Sequence, residues 1–458
     1  MASGPGSALP ARFLNAATDV LGGARVLLDP EVTVGYGLDW TGRFRSEPPA
    51  VLRPSTVGEV AAIVAAARTH GVALVPQGGN TGLVGGATPC DGEVVVDLRA
   101  MDHIGEVDAT GGQVTVGAGV VIARLQEVAL RHGWAYGVDW GARDSATVGG
   151  SVATNAGGLR FVRHRGTRQQ LLGVEAVLGS GLVIHHLPEV DKDNTGYDLA
   201  GLMCGSEGTL GIITAARFRL VPPPPDLATA MVGFFDTAAA VAAASLLRRS
   251  LAGLEAVELM TSAGVTLVSE HLGLAAPLAS SPPAILLIET GDSIDPMARL
   301  AEAVAGLDGV ADVAVAADDR HRARLWRYRE GHTEAINGLG PPHKFDVTIP
   351  AGALAEFIDV VPALVATVAP DAQVWCFGHA ADGNVHVNVT GLHPDDEAVA
   401  EVVLTLVADV GGSISAEHGI GRAKQRWISL TRSAADLATM RTIRAALDPD
   451  GICNPGVL

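Results

Sequence analysis

Three short stretches of this 458-residue chain are rich in glycine, and each of these clusters lies beside a short apolar run. The clusters read "QGGNTGLVGG" at 77–86, "TVGGSVATNAGG" at 147–158 and "GSEGTLG" at 205–211. Glycine adopts backbone conformations that other residues rarely reach, and no Cβ covers its N–H group. Such loops bind phosphate groups, so three clusters together favour a ligand longer than a single phosphate. For any one cluster, the alternative is an ordinary tight turn.

The clusters do not match the two commonest nucleotide-binding patterns. No Lys-Ser or Lys-Thr pair follows the first cluster, as a P-loop requires, and "GAGVVIA" at 117–123 lacks the third glycine of the dinucleotide fingerprint. The first cluster opens from the apolar run "VALVP" at 72–76, and loops at strand ends are common ligand sites in α/β folds. The sequence therefore predicts a phosphate-bearing ligand held outside a Rossmann unit.

Helix and strand signals surround these clusters. Thr56 and Glu59 form a predicted capping box before "VAAIVAAARTH", and Gly71 stands where that helix should end. Apolar runs predict strands at "EVVVDL", "QVTVGAG" and "GVEAVLG", with a helix at "IARLQEVALRHG". Further on, a strand is predicted to end at Phe235, with Asp236 as the N-cap of an Ala-rich helix.

A domain boundary is predicted near residue 222. Four consecutive prolines in "RLVPPPPD" make a stiff connector, and the glycine clusters cease after it. The remaining sequence contains the histidine-rich segments and a final predicted helix, "ADLATMRTIRAALDP".

Composition excludes several classes of protein. With 32 basic and 50 acidic residues, the formal charge of −18 argues against nucleic acid as a partner, and an anionic substrate would need a few local cations. The four cysteines form no C-x-x-C pair, which argues against a disulfide framework, a zinc ribbon or an iron–sulfur cluster. No secretory signal or membrane span is recognised, so a cytoplasmic protein is predicted.

One predicted strand has a polar face. In "FGHAADGNVHVNV" at 377–389, alternation places Asn384, His386 and Asn388 opposite three valines, as expected beside a cavity. His379 precedes this strand by a glycine-containing turn that could fold back onto His386.

A glutamate and a further histidine follow in "SAEHGIGRAK". Together, His379, His386 and Glu417 would make the ligand set of a catalytic divalent-metal site. The spacing alone leaves open that the three are unrelated polar residues.

Basic residues cluster in "RLWRYREGHTEAINGLGPPHKFDVTIP". Arg329 and Thr333 are predicted to share one helix face, and Lys344 to begin the next strand. In an acidic protein, Arg329 and Lys344 are candidates for binding a substrate carboxylate. The alternative is that this basic segment is an ordinary solvated helix face. Four neighbouring arginines are assigned to such a solvated surface: Arg320, Arg322, Arg324 and Arg327.

Three segments in this order resemble the vanillyl-alcohol oxidase superfamily, whose FAD domain is called PCMH-type. They are "PQGGNTGLVGG", "TVGGSVATNAGGLRFVRHRGTRQQLLGVEAVLGSG" and "NTGYDLAGLMCGSEGTLGIIT". Within the superfamily the chain is similar to the FAD-dependent D-2-hydroxyacid dehydrogenases, a branch with enzymes for D-2-hydroxyglutarate, D-lactate and glycolate. The resemblance covers about residues 40–458 and includes the C-terminal motifs.

The resemblance implies an α+β fold in three parts. A two-subdomain PCMH-type FAD-binding domain is expected at residues 1–222, with its core at about 46–222. A ferredoxin-like α+β substrate or cap domain with the metal site is expected at 223–415. A C-terminal segment at 416–458 is expected to return to the FAD domain and complete the active site.

The resemblance also implies the residues that hold FAD. Some relatives attach the flavin through a histidine in the first loop, where this chain has Gly78-Gly79-Asn80-Thr81, so non-covalent FAD is expected. The implied FAD residues are Pro76, Gly78, Gly79, Asn80, Thr81, Gly82, Leu83, Ser145, Gly149, Gly150, Thr154, Asn155, Glu207, Gly208, Ile213 and Asn454.

A metal, a base and a substrate site follow from the same resemblance. His379, His386 and Glu417 are expected to bind zinc, although such sites also accept Mn²⁺ or Co²⁺. His418 is the expected general base: metal coordination lowers the pKa of the substrate's 2-hydroxyl, the imidazole takes its proton, and hydride passes from C2 to flavin N5. The expected substrate residues are Arg329, Thr333, Lys344 and Asn388.

The favoured reaction is oxidation of D-2-hydroxyglutarate to 2-oxoglutarate. "DWGARDSATVGGSVATNAGGLRF" resembles that subgroup, and the basic cluster could hold two carboxylates. The alternatives are D-lactate or another monocarboxylate, a flavin-dependent alkyl transferase of the same fold, and a non-catalytic binding module. An electron-transfer flavoprotein, a quinone or a cytochrome is the expected acceptor, and a homodimer is a candidate oligomeric state.

Overall fold

The computed structural model describes residues 9–223, 226–292, 294–393 and 396–457. The chain divides into two compact units. The first comprises Met1–Gly157, Arg165–Pro223 and Glu417–Leu458, and the second comprises Gly158–His164 and Pro224–Ala416. Of the proline run predicted to be a stiff connector, Pro224 and Pro225 lie outside the described residues.

Helices and strands alternate along most of the described chain. The α-helices are α1 (Ala11–Leu21), α2 (Pro30–Thr33), α3 (Val57–His70), α4 (Ile122–Arg131), α5 (Val148–Thr154), α6 (Phe161–His164), α7 (Thr167–Gln170), α8 (Leu199–Met203), α9 (Thr237–Ser250), α10 (Ser262–Leu272), α11 (Pro296–Ala305), α12 (Asp319–Glu330), α13 (His332–Asn337), α14 (Leu354–Ala366), α15 (Ala398–Asp409) and α16 (Ala434–Leu447). The strands are β1 (Val26–Leu27), β2 (Val51–Leu52), β3 (Leu74–Gln77), β4 (Val94–Asp97), β5 (Gln113–Gly117), β6 (Leu171–Leu178), β7 (Val183–His186), β8 (Gly211–Arg219), β9 (Asp226–Phe234), β10 (Leu254–Thr261), β11 (Ala284–Asp292), β12 (Val310–Val315), β13 (His343–Thr348), β14 (Gln373–His379) and β15 (Asn384–Thr390). Short 3-10 helices occur at Gly23–Arg25, Val34–Tyr36 and Gln425–Leu430.

The first unit contains two four-stranded sheets, as a two-subdomain FAD domain requires. One sheet has the order β1-β2-β4-β3, in which β2, β4 and β3 run parallel. The other has the order β5-β8-β6-β7 and is antiparallel. Each sheet is buried against its own helices, α1 and α3 for the first sheet and α4 and α5 for the second.

Capping residues in the sequence correctly predicted the ends of several helices. The Thr56 hydroxyl accepts the N–H of Glu59 at the start of α3, and Gly71 ends that helix in the left-handed conformation. The Glu59 carboxylate, however, accepts the N–H of Ser55 rather than that of Thr56, so the predicted capping box is only half formed. Asp236 caps α9 as predicted by accepting the N–H of Ala239.

The C-terminal segment returns to the first unit. Cys453 forms a parallel bridge beside Leu74 of β3. The N–H of Leu74 donates to Ile452 at 2.8 Å, and the N–H of Asn454 donates back to Leu74 at 2.8 Å. The end of the chain thus lies next to the strand from which the first glycine cluster opens, as the predicted fold requires.

The second unit is built on one antiparallel sheet with the order β12-β9-β11-β10-β14-β15-β13. The four strands β12-β9-β11-β10 form a ferredoxin-like half. Numbered by their order in the chain, they lie in the sheet as 4-1-3-2, and the helices α9 and α11 connect β9 to β10 and β11 to β12. Strands β14, β15 and β13 extend this half beyond β10. The predicted ferredoxin-like domain is therefore present and carries a three-stranded extension.

Residues 158–164 join the second unit through buried ion pairs, which the sequence did not predict. Arg160 Nη1 lies 2.7 Å from Oε1 of Glu289, whose side chain is fully buried in β11. Arg322 Nη1 lies 3.1 Å from the other oxygen of Glu289. The assignment of Arg322 to a solvated surface is therefore wrong, since this arginine neutralises a buried carboxylate.

Among the described residues, no helix combines the length and the apolar character needed to cross a lipid bilayer.

Candidate active site

One face of the seven-stranded sheet carries many of the polar residues predicted from the sequence. In β15, Asn384, His386 and Asn388 alternate with buried valines, as predicted. β14 folds back on β15 through residues 380–383 and pairs His379 with Asn384. The ring centres of His379 and His386 are 5.4 Å apart. The prediction that this turn brings the two histidines together is confirmed.

Each of these histidines contacts a buried carboxylate through Nδ1. Nδ1 of His379 lies 2.7 Å from Oε1 of Glu258, and Nδ1 of His386 lies 3.2 Å from Oδ1 of Asp346. Nε2 is therefore the ring atom through which either histidine would bind a metal ion. Burial lowers the pKa of His386 to about 4, so its ring is neutral near pH 7, the form that binds metals. The pair fits two ligands of a divalent-metal site.

Arg329, near the end of α12, reaches the same face of the sheet. Its Nε donates to Oε2 of Glu258 at 2.7 Å, and its guanidinium carbon lies 4.8 Å from the ring centre of Phe377. The residue is only 6% exposed. With Nε paired to Glu258, the Nη groups are the atoms through which Arg329 would bind a substrate carboxylate, which supports its predicted use as a clamp.

Lys344 and Asn388 lie directly opposite each other on β13 and β15. Because Asn388 and His386 are two residues apart on one strand, all three side chains share the same face. Burial lowers the pKa of Lys344 to about 8. The ammonium is therefore charged at neutral pH and loses its charge in mildly alkaline solution.

Thr333 does not lie on the helix that carries Arg329, so the prediction of one continuous helix is wrong. α12 ends at Glu330 and α13 begins at His332. Between them, a Cβ on Gly331 would lie 2.8 Å from a methyl group of Val268 on α10, so close helix packing accompanies the break. Thr333 is half-buried in the first turn of α13.

In the first unit, the first glycine cluster packs directly on the segment before α5. A Cβ on Gly78 would overlap the hydroxyl oxygen of Thr147, and a Cβ on Gly79 would overlap the carbonyl oxygen of Ser145. A Cβ on Gly82, in contrast, would meet nothing within 4 Å, so this residue faces open space. The loop is therefore pressed against the protein at its start and accessible further along, as a phosphate-binding loop must be.

Four non-glycine residues predicted to contact FAD have positive φ: Asn80, Asn155, Glu207 and Asn454, with values from 41° to 52°. Such conformations cost free energy and are concentrated at functional sites. The Asn454 amide holds two of the predicted loops together, because its Nδ2 donates to the carbonyls of Gly86 and Glu207 at 2.7 Å each. The chain terminus, the first cluster and the third cluster are thereby joined.

Several buried polar atoms in this region have no hydrogen-bond partner among the described residues. They are the hydroxyl oxygens of Thr147 and Ser206 and Oδ1 of Asn454. Buried polar groups are normally paired, so unpaired ones beside open glycine loops indicate a polar ligand. Together with the glycine contacts, these atoms fit a bound FAD.

The remaining predicted FAD residues lie on the same unit. Pro76 lies on β3, and its ring is so close to Gly208 that a Cβ added to this glycine would overlap it. Ile213 lies on β8. Gly149, Gly150 and Thr154 belong to α5, while Thr81 and Leu83 belong to the first cluster.

Glu207 anchors the segment that contains Glu417 and His418. Its two carboxylate oxygens accept the N–H groups of Ile420 and Gly421 at 2.8 Å each. Gly419, with φ of 81°, approaches this carboxylate so closely that a side chain would overlap it. The backbone immediately after the predicted metal ligand and base is therefore fixed within the first unit.

Glu258 and Asp346 were missed from the sequence. Each is a carboxylate with an apolar residue on either side, in "VEL" and "FDV", and a buried charge of this kind requires a partner. That signal was present, but it does not name the partner. Both carboxylates are at most 1% exposed.

Comparison with known proteins identifies the class to which this fold and site belong. A family model described as "FAD binding domain" matches residues 48–186, and one described as "FAD linked oxidases, C-terminal domain" matches residues 223–458. The structure is similar to p-cresol methylhydroxylase, with a TM-score of 0.80, 17% identity and coverage of 99% of this chain and 98% of that one. Alkyldihydroxyacetonephosphate synthase gives a TM-score of 0.77 at 16% identity, with coverage of 99% and 86%. At these identities the structures show the fold alone, which is the PCMH-type fold, while the two family models show that the chain is an FAD-linked oxidase.

Curated relatives at higher identity define the family. D-2-hydroxyglutarate dehydrogenase of Xanthomonas citri pv. viticola is 38% identical over 450 residues, which cover 95% of this chain and 94% of that protein. The mitochondrial D-2-hydroxyglutarate dehydrogenase of Bos taurus is 37% identical, with coverage of 94% and 80%. That of Stutzerimonas stutzeri is 34% identical, with coverage of 94% and 95%. The chain therefore belongs to the FAD-dependent D-2-hydroxyacid dehydrogenases.

Proposed function

We propose that this enzyme oxidises D-2-hydroxyglutarate to 2-oxoglutarate. The observation that carries the proposal is the polar face of the second unit, where Arg329 and Lys344 accompany two imidazoles on one sheet surface. Two cations suit a substrate with two carboxylates. The named activity of the curated relatives supports the same choice.

The protein residues would bind the acid and move one proton. Arg329, Thr333 and Asn388 hold the C1 end of the substrate, Lys344 binds the distal carboxylate, and His418 accepts the proton of the 2-hydroxyl. When bound, FAD supplies the two-electron acceptor for the hydrogen on C2. The glycine loops of the first unit hold FAD without a covalent bond, since Gly78–Thr81 offers no histidine for attachment.

We also propose a divalent metal, with zinc as the first choice and Mn²⁺ or Co²⁺ as substitutes. His379 and His386 would bind it through Nε2, and Glu417 completes the ligand set predicted from the sequence. A divalent ion supplies positive charge that acidifies the 2-hydroxyl. The neutral ring of His386 and the carboxylates behind both histidines support this part of the proposal.

The test of this function is a panel of D- and L-2-hydroxyacids with an artificial dye as electron acceptor, with and without a chelator. D-2-hydroxyglutarate should give the highest kcat/KM, the chelator should abolish turnover, and one added divalent ion should restore it. A preference for D-lactate would establish the monocarboxylate alternative instead. Failure of every hydroxyacid to bleach the flavin anaerobically, with turnover of an acyl-glycerol phosphate, would establish the transferase.

Lys344 should determine the choice between the two acids. Replacing Lys344 with alanine is expected to lower kcat/KM for D-2-hydroxyglutarate by about 10–100-fold, since a charge-assisted contact is lost, and to change kcat/KM for D-lactate little. In the unaltered enzyme, KM for D-2-hydroxyglutarate should rise as the pH passes about 8, because Lys344 carries its charge below that pH. Measurements of KM for both acids on either side of that pH test this. If Lys344→Ala lowers kcat/KM equally for both acids, Lys344 does not bind the distal carboxylate.

The acceptor and the setting of the enzyme are further proposals. An electron-transfer flavoprotein, a quinone or a cytochrome would take the electrons, and we retain a cytoplasmic location and a homodimer as predictions.

A further inference from the structure

Glu258, on β10, is a buried carboxylate whose two oxygens contact two different site residues. Oε2 accepts the Nε–H of Arg329 at 2.7 Å, and Oε1 lies 2.7 Å from Nδ1 of His379. Its side chain is 1% exposed, and the side chains of both partners are 7% exposed. One carboxylate therefore connects the predicted carboxylate clamp with a predicted metal ligand.

The ionised form of Glu258 is favoured where it lies. Its Oε2 lies 2.7 Å from Nε of Arg329, whose guanidinium is permanently charged and therefore favours a charged carboxylate beside it. A buried charge with two hydrogen-bonding partners is far less costly than a buried charge with one. Both contacts are therefore charge-assisted and restrict the side chains they join.

Each contact also selects which atoms of the partner can meet a ligand. The guanidinium of Arg329 is fixed at Nε by Glu258 and on its face by Phe377, so Nη1 and Nη2 are the groups directed to a carboxylate. The ring of His379 is fixed at Nδ1, so Nε2 is the atom that would bind a metal ion.

We propose that Glu258 is a positioning residue that orients Arg329 and His379 together, so that substrate-carboxylate binding and metal binding both depend on this one side chain. The inference rests on the proposed function, because it takes Arg329 as the clamp and His379 as a metal ligand. It differs from that function in assigning a role to a residue that contacts neither ligand.

The experiment compares three variants of the FAD-loaded full-length chain. Glu258→Gln keeps the shape of the side chain but removes its charge, and an amide cannot accept hydrogen bonds through both of its ends. Asp346→Asn alters the carboxylate that lies 3.2 Å from Nδ1 of His386, the second histidine of the pair. Glu255→Gln is the matched control: it is a buried glutamate of the same strand, paired with Arg160 and Arg163 at 3.5 Å each.

Two binding constants are measured, together with kcat and KM. The Kd for Zn²⁺ is obtained by competition with a chromophoric chelator. The Kd for 2-oxoglutarate is obtained on metal-free protein from the change in flavin absorbance. Thermal unfolding of each variant shows that it is folded, so neither constant is confused with a loss of structure.

Glu258→Gln should weaken Zn²⁺ binding by about 10–100-fold, the usual effect of losing the partner of a metal-binding histidine. It should also weaken 2-oxoglutarate binding to the metal-free protein by about 10-fold and raise KM accordingly. Asp346→Asn should weaken Zn²⁺ binding alone. Glu255→Gln should lower the unfolding temperature and leave both constants at their wild-type values.

Constants for Glu258→Gln equal to those of Glu255→Gln would overturn the inference, and a change in only one of the two would overturn the joint role. Failure of the proposed function is seen separately and earlier. In that case the unaltered enzyme itself would bind no Zn²⁺ or oxidise no D-2-hydroxyacid, and the role of Glu258 would fall with it.

Discussion

Replacing His418 with asparagine should slow the reduction of bound FAD by D-2-hydroxyglutarate by about 10²–10⁴-fold, as expected for a lost general base. The FAD itself should remain bound. Asparagine is polar and no larger than histidine, and the residues that follow position 418 are fixed by the contacts of Glu207 with the N–H groups of Ile420 and Gly421. Anaerobic stopped-flow absorbance of the flavin measures the rate directly.

The control for this variant is His321→Asn. His321 is exposed on α12 and pairs with Asp318 at 2.8 Å, and neither residue is assigned to the site. FAD bound to His321→Asn should be reduced at the same rate as FAD bound to the unaltered enzyme. A near-normal rate for the His418 variant would show that another residue is the general base. Loss of FAD would show instead that the substitution disturbs the FAD site.

A second large effect is expected from Gly79→Ala. The added methyl group would overlap the carbonyl oxygen of Ser145, and a backbone atom cannot move aside as a flexible side chain can. We expect a loss of about 1–3 kcal/mol of stability from overpacking and at least about 10-fold weaker FAD binding. The flavin-to-protein absorbance ratio and the unfolding temperature measure the two effects.

Gly35→Ala provides the matched substitution. Gly35 is exposed, and a Cβ there would meet nothing within 4 Å. This variant should retain full FAD content and a stability within about 0.5 kcal/mol of that of the unaltered enzyme. If Gly79→Ala behaves in the same way, the close approach of the first glycine cluster to Ser145 does not contribute to the FAD site.

Features that depend on near neighbours in the chain were predictable. The polar face of β15 follows from the alternation of polar and apolar residues along the strand, and the caps of α3 and α9 follow from residues close to each helix start. The fold of both units was predicted from the resemblance of the glycine clusters to those of a known superfamily.

Features that depend on distant partners were not predictable from pattern alone. Glu258 contacts His379 across 121 positions of the chain, and Arg160 contacts Glu255 across 95. A charged residue in an apolar strand indicates that a partner exists, but only the folded sheet shows which one. The interruption at Gly331 was missed although glycine is a weak helix former, because a single glycine does not show that a helix ends there, and the close contact with α10 is visible only in the folded unit.

The three-stranded extension of the second unit has a consequence for changing the enzyme's acid preference. Lys344, His379, His386 and Asn388 all belong to β13, β14 and β15, whereas β9, β11 and β12 supply none of the residues assigned to the site. Libraries confined to these appended strands would sample new substrate pockets while the ferredoxin-like platform, with its own crossovers, preserves the folded state.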